Sequence, residues 1–386
     1  MIGRLVLLVL VVVVAAAVFL PAGHAAASTL LLMPEFFPSS PARPLDWITP
    51  APRRTTVQIR SGSRTSIATL YDPGTGGKHG AAIIFLGVSP AGLDDPRVIR
   101  LGDGLARIGL VTLVPQSQDL INSKVDPGEI DDLIAAFNYL SALPDVDAQR
   151  VGIGGFCIGA GLSLDAAEDP RISERVALVN SFTGYYDLSS YAVSILTDSI
   201  QPYPPLSGVA RLPWEPAANA TRVLDDHLIS LDPNQAEQAL LRSAAHDPKA
   251  PRPDPARLTP LGRQIWTILN TRDPAAAGQL LAELPPADEA VLRELSPSTH
   301  LAGLHAKVFI MHDHDDNTVP YVQSRELAAH LRPGQGEYDE FTFFQHVDPT
   351  ASVSPLVFAR DAGRLAWHMF QIVEILQGAA PVQRYG

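Results

Sequence analysis

Cys157 is the only cysteine of the chain, and it stands between two glycines in the segment Gly155-Phe156-Cys157-Ile158-Gly159. A strand-like run precedes this segment and a helix-like stretch of small residues follows it, so the thiol is predicted at a sharp strand-to-helix turn. Flanking glycines let neighbouring backbones approach such a turn, and the unpaired N–H groups at the helix start stabilise a thiolate. The pattern predicts a cysteine nucleophile; the ordinary alternative is a small buried hydrophobic residue.

Two later segments carry the groups that a thiol nucleophile needs. Asp316 follows the predicted strand 307–311, and His346 follows the predicted strand 337–344. Each of the three groups lies just past the C-terminal end of a predicted parallel strand, the edge where α/β sheets bind ligands. There the imidazole would take the thiol proton and later deliver water, while the carboxylate holds its tautomer and stabilises its cation. We therefore predict a catalytic triad of Cys157, Asp316 and His346.

Other assignments of these residues stay open. Asp315, or less favourably Asp187, would replace Asp316 as the acid if the register of the loop differed, and each group could instead be a solvated or capping residue. His312, His314 and Asp316 have the local spacing of a metal-binding motif, so a metal-dependent hydrolase is an alternative enzyme. The rest of the chain lacks a matching set of spaced ligands, and we predict no metal and no cofactor.

The elements around these residues predict an α/β protein with a mostly parallel central sheet flanked by helices. Apolar, β-branched runs alternate with longer helical periodicities over residues 56–189 and again over 300–386, which is typical of a sheet covered on both faces. Residues 190–299 are helical and broken by prolines, with no convincing strand. This insertion is expected to form a helical cap that covers the pocket and selects the substrate.

Three aromatic residues of the insertion are candidates for the lining of that pocket. Tyr203, Trp214 and Trp266 carry large apolar surfaces, and they would either contact the substrate or form the core of the cap.

The chain resembles the α/β-hydrolase superfamily from about residue 57 to 377, apart from the insertion, and the cysteine in the turn makes it similar to the dienelactone hydrolase branch. The most specific piece is VDAQRVGIGGFCIGAG. By this resemblance Asp316 is the acid of the segment 312–320, and His346 is the histidine after the last strand. Asp313 stands where the family usually has glycine.

Acyl transfer also needs an oxyanion hole, which this fold builds from the N–H after the nucleophile and an N–H in the loop after the third strand. The resemblance places these donors at Ile158 and at Gly87 or Val88. Leu86 replaces a histidine of the family there, but the donors are backbone groups. The resemblance implies a hydrolase that cleaves an ester, lactone or thioester through an acyl-Cys157 intermediate. The alternative is a non-catalytic relative that binds a ligand in the capped pocket.

Residues 1–27 are predicted to be a signal peptide or an N-terminal membrane anchor. An uncharged apolar run, Leu5 to Leu20, follows Arg4, and Ala25-Ala26-Ala27 offers a cleavage site. We favour a retained single-pass anchor in the cell membrane with the catalytic domain outside the cytoplasm; the alternative is a secreted or periplasmic protein. The proline-punctuated residues 28–55 are predicted to be a linker without regular helix.

Composition limits the other function classes. The 386 residues are 46% hydrophobic and 18% charged, which argues against intrinsic disorder. The net charge of −12 and the lack of a Lys/Arg cluster argue against a nucleic-acid partner. A single cysteine excludes an intramolecular disulfide and cysteine-based zinc sites. The predicted partners are a small-molecule ester or lactone and, through the N-terminal segment, a membrane.

Overall fold

An eight-stranded sheet forms the centre of the molecule. The computed structural model describes residues 20–37, 40–349 and 352–386. The strands are β1 (Arg53–Ser61), β2 (Arg64–Asp72), β3 (His79–Phe85), β4 (Val111–Gln116), β5 (Val146–Phe156), β6 (Val176–Phe182), β7 (Ser199–Ile200), β8 (Leu212–Pro213), β9 (Lys307–Asp313) and β10 (Gly336–Phe341). The large sheet has the order β1-β2-β4-β3-β5-β6-β9-β10. β1 and β2 pair antiparallel with their neighbours, and the remaining pairs of that sheet are parallel.

Helices cover both faces of the sheet and build the insertion. They are α1 (Pro21–Leu32), α2 (Pro44–Ile48), α3 (Pro96–Arg107), α4 (Gln118–Ile121), α5 (Gly128–Ser141), α6 (Ile158–Glu168), α7 (Leu188–Leu196), α8 (Ala218–Ser230), α9 (Gln235–His246), α10 (Pro260–Leu269), α11 (Pro274–Ala282), α12 (Pro286–Glu294), α13 (Val322–His330) and α14 (Pro355–Leu376). The strand-and-helix alternation predicted for the two halves of the sheet is therefore observed.

The parallel strands bring the chemistry-bearing residues to one edge. Most residues of β3, β6 and β9 are apolar, and the three strands are buried along nearly their whole length, as expected for strands with both faces covered. β5 lies between β3 and β6, so the residue that follows it emerges near the middle of the carboxyl edge. Cys157 follows β5, Asp316 follows β9 and His346 follows β10.

The prediction of a linker without helices at residues 28–55 is wrong. α1 extends to Leu32 and is followed by a 3-10 turn, and α2 forms within the same stretch. Each of these elements begins with a proline at its first or second position, where the missing N–H has no intrahelical partner to lose. Ala25, Ser28 and Leu32 of α1 are buried, and Gln377 after α14 donates to the Ser28 hydroxyl at 3.1 Å. This segment is part of the folded domain.

The insertion forms a helical layer over the carboxyl edge of the sheet. α7 begins just after β6, and α8 to α12 follow it before the chain returns to β9. The sequence indicated no strand here, but β7 and β8 form a short antiparallel pair.

The membrane prediction falls mainly on residues 1–19, which lie outside the described residues. Within residues 20–37, 40–349 and 352–386, no helix combines the length and the hydropathy needed to cross a bilayer.

Candidate active site

Cys157 occupies the sharp turn between β5 and α6. Its backbone has φ 57° and ψ −131°, a left-handed conformation that costs strain in a residue other than glycine. Its N–H donates to the carbonyl of Phe182 at 3.0 Å, which ties the turn to the end of β6. Cys157 is also the residue immediately before the first turn of α6, so the unpaired N–H groups of that turn surround it.

The two flanking glycines are sterically required. A Cβ on Gly155 would lie 2.4 Å from the Cα of Ala160, and a Cβ on Gly159 would lie 2.5 Å from the carbonyl oxygen of Leu86. The loop after β3 also passes directly over the turn, since a Cβ on Gly87 would lie 2.8 Å from the Cβ of Cys157. Close packing of three backbone segments therefore holds the thiol in place.

His346 joins the thiol to the carboxylate. Its Nδ1 lies 2.7 Å from the Oδ2 of Asp316, and the side chain of Cys157 is close enough to raise the pKa of the same ring. His346 also has a positive φ of 61°, so a strained backbone conformation presents the imidazole to both partners. The structure brings the three predicted triad residues together in the predicted order of contacts.

The other oxygen of Asp316 is held by the backbone. Oδ1 accepts hydrogen bonds from the N–H groups of Thr318 at 2.7 Å and Val319 at 3.1 Å. The fully buried His312 lies 3.5 Å from Oδ2 and donates or accepts at the hydroxyl of Ser324 at 2.7 Å. Asp316 therefore has its side chain fixed on both oxygens.

The charges of the triad reinforce each other. Burial alone would raise the pKa of Asp316, but the charge of His346 and hydrogen bonds from His312 and His346 hold it well below its usual range. Burial alone would lower the pKa of His346, but the negative charges of Cys157 and Asp316 and its hydrogen bonds to both raise it well above its usual range. A protonated His346 beside an ionised Asp316 is thus favoured at neutral pH.

A cavity of about 450 Å³ opens above the triad, between the sheet edge and the cap. Cys157, His346 and the three candidate oxyanion-hole residues Gly87, Val88 and Ile158 all line it. Helices α7, α8 and α12 close it from the cap side, through Leu188, Tyr191, Ala192, Ile195, Asn219, Ala220, Val223, Leu224, His227 and Leu292. The N-terminal segment closes another side with Glu35 and Phe36. The lining is mostly apolar, which suits an organic substrate shielded from water.

Tyr203, Trp214 and Trp266 are not among the cavity-lining residues. Tyr203 lies beside the ring of His330, with ring centroids 6.4 Å apart, and Trp266 packs against the apolar core of the cap. Trp214 instead donates its indole N–H to the carbonyl of Asp316 at 2.8 Å. None of the three therefore lines the cavity, and for Trp266 the structure favours the other expectation, a place in the core of the cap.

The sequence did not predict the hydrogen bonds by which the cap holds the loop of residues 316–318. Besides Trp214, the N–H of Ala217 donates to the carbonyl of Asn317 at 2.6 Å, and the hydroxyl of Tyr191 donates to the carbonyl of Thr318 at 2.6 Å. Three consecutive carbonyls, from residues 316 to 318, are thus held by the insertion. No local pattern signals these contacts, because each joins positions about a hundred residues apart.

The metal alternative gains no support from the geometry. His312 is buried, with its two ring nitrogens engaged by Ser324 and the carbonyl of Val319. His314 is exposed, stacks on Tyr321 and lies 3.3 Å from a carboxylate oxygen of Glu340. Among the described residues, no three His, Cys, Asp or Glu side chains converge in a way that could hold an ion.

The alternative acids lie elsewhere. Asp315 is exposed. Asp187 caps α7, where its carboxylate accepts from the N–H of Ser190 at 2.7 Å and from the hydroxyl of Ser298 at 2.9 Å. Asp313, at the usual glycine position, is buried with a pKa raised to about 7 by that burial.

This sheet order, with a nucleophile turn after β5 and a helical cap, defines the α/β-hydrolase fold. A puromycin-hydrolyzing peptidase of Mycobacterium tuberculosis shares it with a TM-score of 0.50 and 16% identity, over 85% of this chain and 39% of that one. A 2,6-dihydroxy-pseudo-oxynicotine hydrolase gives 0.48 at 13% identity over 87% and 71% of the two chains. A Pyrobaculum calidifontis esterase gives 0.46 at 14% identity over 93% and 92%. The predicted fold class is confirmed.

The sequence itself also matches a family. Residues 105–198 match the dienelactone hydrolase family, a stretch that contains Cys157 and α6 but neither Asp316 nor His346. No curated protein matches the chain. The family match confirms the predicted resemblance to dienelactone hydrolases over this part of the chain.

Proposed function

We propose that the protein hydrolyses an ester, lactone or thioester through an acyl-Cys157 intermediate. The observation that carries the proposal is the imidazole of His346, which is hydrogen-bonded to Asp316 and shares the floor of a mostly apolar cavity with Cys157, whose side chain raises the pKa of the ring. A thiol at a strained turn, a base within hydrogen-bond reach and a buried orienting carboxylate are the three parts of an activated nucleophile.

The geometry supports the following sequence of steps. The Cys157 sulfur, its proton held by His346, attacks the substrate carbonyl carbon, and the N–H groups of Ile158 and of Gly87 or Val88 receive the developing oxyanion. Collapse breaks the bond to the leaving group, which takes the proton from His346. Water then gives a proton to His346 and attacks the thioester carbon, and the acid product leaves with the proton returned to the thiol. Asp316 keeps the imidazole in the tautomer that both steps require.

Hydrolysis by matched variants tests this proposal. We expect the full chain to cleave short-chain p-nitrophenyl esters, and Cys157→Ala and His346→Ala to lose that activity by about a thousandfold or more. Asp316→Asn, which keeps the shape of the side chain, should lose a smaller but still large factor. Asp315→Asn is the control, because its exposed side chain lies outside the triad, and it should retain full activity.

Thiol alkylation separates an enzyme from a ligand-binding relative. An activated Cys157 should react with iodoacetamide at neutral pH much faster than in the denatured chain, and His346→Ala should remove the difference. If the folded wild type reacts no faster than the denatured chain and cleaves no ester, the capped cavity only binds its ligand.

We also propose that the apolar run of residues 5–20 stays attached as a membrane anchor. Cleavage at Ala25 to Ala27 would cut through α1, whose residues Ala25, Ser28 and Leu32 are buried against the domain. The mass of the N-terminal peptide from the membrane fraction tests this idea. A peptide that starts upstream of Pro21 is expected, and a start at Ser28 in the soluble fraction would overturn it.

A further inference from the structure

Behind the active-site cavity lies a second, smaller one of about 90 Å³, enclosed between the sheet and helices α3 and α14. The two cavities share five lining residues, all apolar: Phe36, Ile84, Leu101, Phe156 and Val347. Phe156 directly precedes Cys157, so the shared wall includes the neighbour of the proposed nucleophile. We call the second cavity the side chamber, because it adjoins the active-site cavity along this apolar wall.

The side chamber is a consequence of small residues on one face of the sheet. Ala82 of β3 pairs with Gly152 of β5, and Ile84 pairs with Gly154. Ala82 presents only a methyl group to α3 and α14, and Gly152 and Gly154 present no side chain, where a closely packed sheet would carry branched residues. A Cβ on Gly154 would lie 3.3 Å from the Cδ1 of Ile84, so the side chain of Ile84 already fills part of the space that the glycine leaves.

The chamber is also almost wholly apolar. Asn180 is the only lining residue with a polar side chain, and none carries a charge. An apolar chamber of this kind favours hydrocarbon over water, because it offers too few hydrogen-bond partners to hold water.

From this geometry we propose that the acyl part of the substrate is an unbranched aliphatic chain that enters the side chamber when its carbonyl reaches Cys157. This inference rests on the proposed acyl transfer and specifies its substrate class. The leaving group then lies on the other side of the sulfur, under the cap, near the polar side chains of Asn219 and His227.

The chain-length dependence of hydrolysis tests the proposal. In the wild type, kcat/KM is expected to rise from the acetyl to the hexanoyl p-nitrophenyl ester and to remain high for the decanoyl ester. Ala82→Val puts two methyl groups into the side chamber, so it should lower kcat/KM for the decanoyl ester by about tenfold while leaving the acetyl ester nearly unchanged. Gly154→Ala narrows the same space with one methyl group and should act in the same direction.

Ala81→Val is the matched control. Ala81 belongs to the same strand but packs into the core on the opposite face of the sheet, so it should strain β3 without changing the ratio of the two ester rates. A ratio that moves equally in Ala81→Val and Ala82→Val would overturn the proposal. The proposal would also be overturned if the change in kcat/KM caused by Ala82→Val depended on the length of the alkyl group in a series of alkyl acetates and not on the length of the acyl chain.

A binding measurement distinguishes failure of this inference from failure of the proposed function. Cys157→Ala cannot form the acyl-enzyme, but its side chamber is intact, so calorimetry should show it binding decanoate more tightly than hexanoate, and Ala82→Val in the same background should remove the difference. If the protein binds decanoate but has no esterase activity, the proposal for the side chamber is supported and the proposed hydrolase function is contradicted. Esterase activity without any chain-length preference in rate or binding would reject the chamber alone.

Discussion

The indole nitrogen of Trp214 and the backbone oxygen of Asp316 are 2.8 Å apart, so a hydrogen bond from the cap holds the loop that carries Asp316. The loop also accepts from Ala217 and Tyr191 at its next two carbonyls. The cap therefore has two roles in the structure: its α7 and α8 faces close the cavity, and its polar groups fix the position of Asp316.

Trp214→Phe should lower kcat with little change in KM, because it removes one hydrogen bond from the acid loop and leaves the cavity wall intact. The net value of such a bond, about 0.5 to 1.5 kcal/mol, corresponds to a loss of about two- to tenfold. Steady-state kinetics with a short ester checks this, and the alkaline limb of the pH profile should move as well, since Asp316 sets the charge state of His346.

The control is Trp266→Phe, at a cap tryptophan without a contact to the loop, which should change neither kcat nor the alkaline limb. An unchanged pH profile in Trp214→Phe would show that Trp214 has only a structural role.

The alkaline limb of activity should report the loss of the proton from His346. The pKa of His346 is raised well above its usual value by the charges of Cys157 and Asp316, against the effect of burial. The imidazolium is therefore retained through neutral pH and lost only as the pH rises through the raised value. Asp316→Asn removes one of the two negative charges, so the alkaline limb of kcat/KM should shift to lower pH. A limb at the same pH in both proteins would show that another group titrates there.

Much of the fold and the triad could be predicted because the signals are local. The apolar runs of β3, β5, β6 and β9 fix the parallel sheet, and the carboxyl ends of parallel strands fix where Cys157, Asp316 and His346 must meet. The glycines around Cys157 carry information of the same kind, since a turn of that geometry excludes a Cβ on either side.

The parts that could not be predicted depend on contacts between distant segments. α1 is an uncharged stretch beside an apolar run, and its sequence alone cannot distinguish a signal-peptide tail from a helix buried against α14. The sequence also left open whether the large aromatic residues of the cap line the cavity or form the core of the cap, whereas in the structure α7 and α8 line the cavity with other side chains. Tertiary packing decides both cases, and neither leaves a periodicity in the sequence.

Gly159→Ala should destabilise the fold and the active site together. Its Cβ would lie 2.5 Å from the carbonyl oxygen of Leu86, and relief of that clash requires the turn or the loop after β3 to move. Overpacking of this kind costs about 1 to 3 kcal/mol, so thermal unfolding should occur several degrees lower. Gly363→Ala is the matched control: it lies in α14 with no atom within 4 Å of the added Cβ, and it should raise stability slightly because alanine favours helix. A melting temperature for Gly159→Ala equal to that of the control would mean that the turn accommodates a methyl group at position 159 without strain.

Stability should fall between pH 6 and pH 8 in part because of Asp225 in the cap. Burial and the neighbouring Asp226 raise its pKa from 3.8 to about 7, against the charges of Arg272 and Arg222. The unfolded state releases this proton near the usual pKa of 3.8, whereas the folded state holds it to about pH 7, so the stabilisation is fully present only below the usual pKa and the last of it is lost as the pH rises through the folded value. For one such group the loss from pH 6 to pH 8 is about 1 kcal/mol. Chemical denaturation of Asp225→Asn should show a pH dependence smaller by that amount, whereas Asp247→Asn, at an exposed aspartate of the cap, should keep the wild-type dependence. Equal slopes in all three proteins would mean that Asp225 is ionised in the folded state throughout this range.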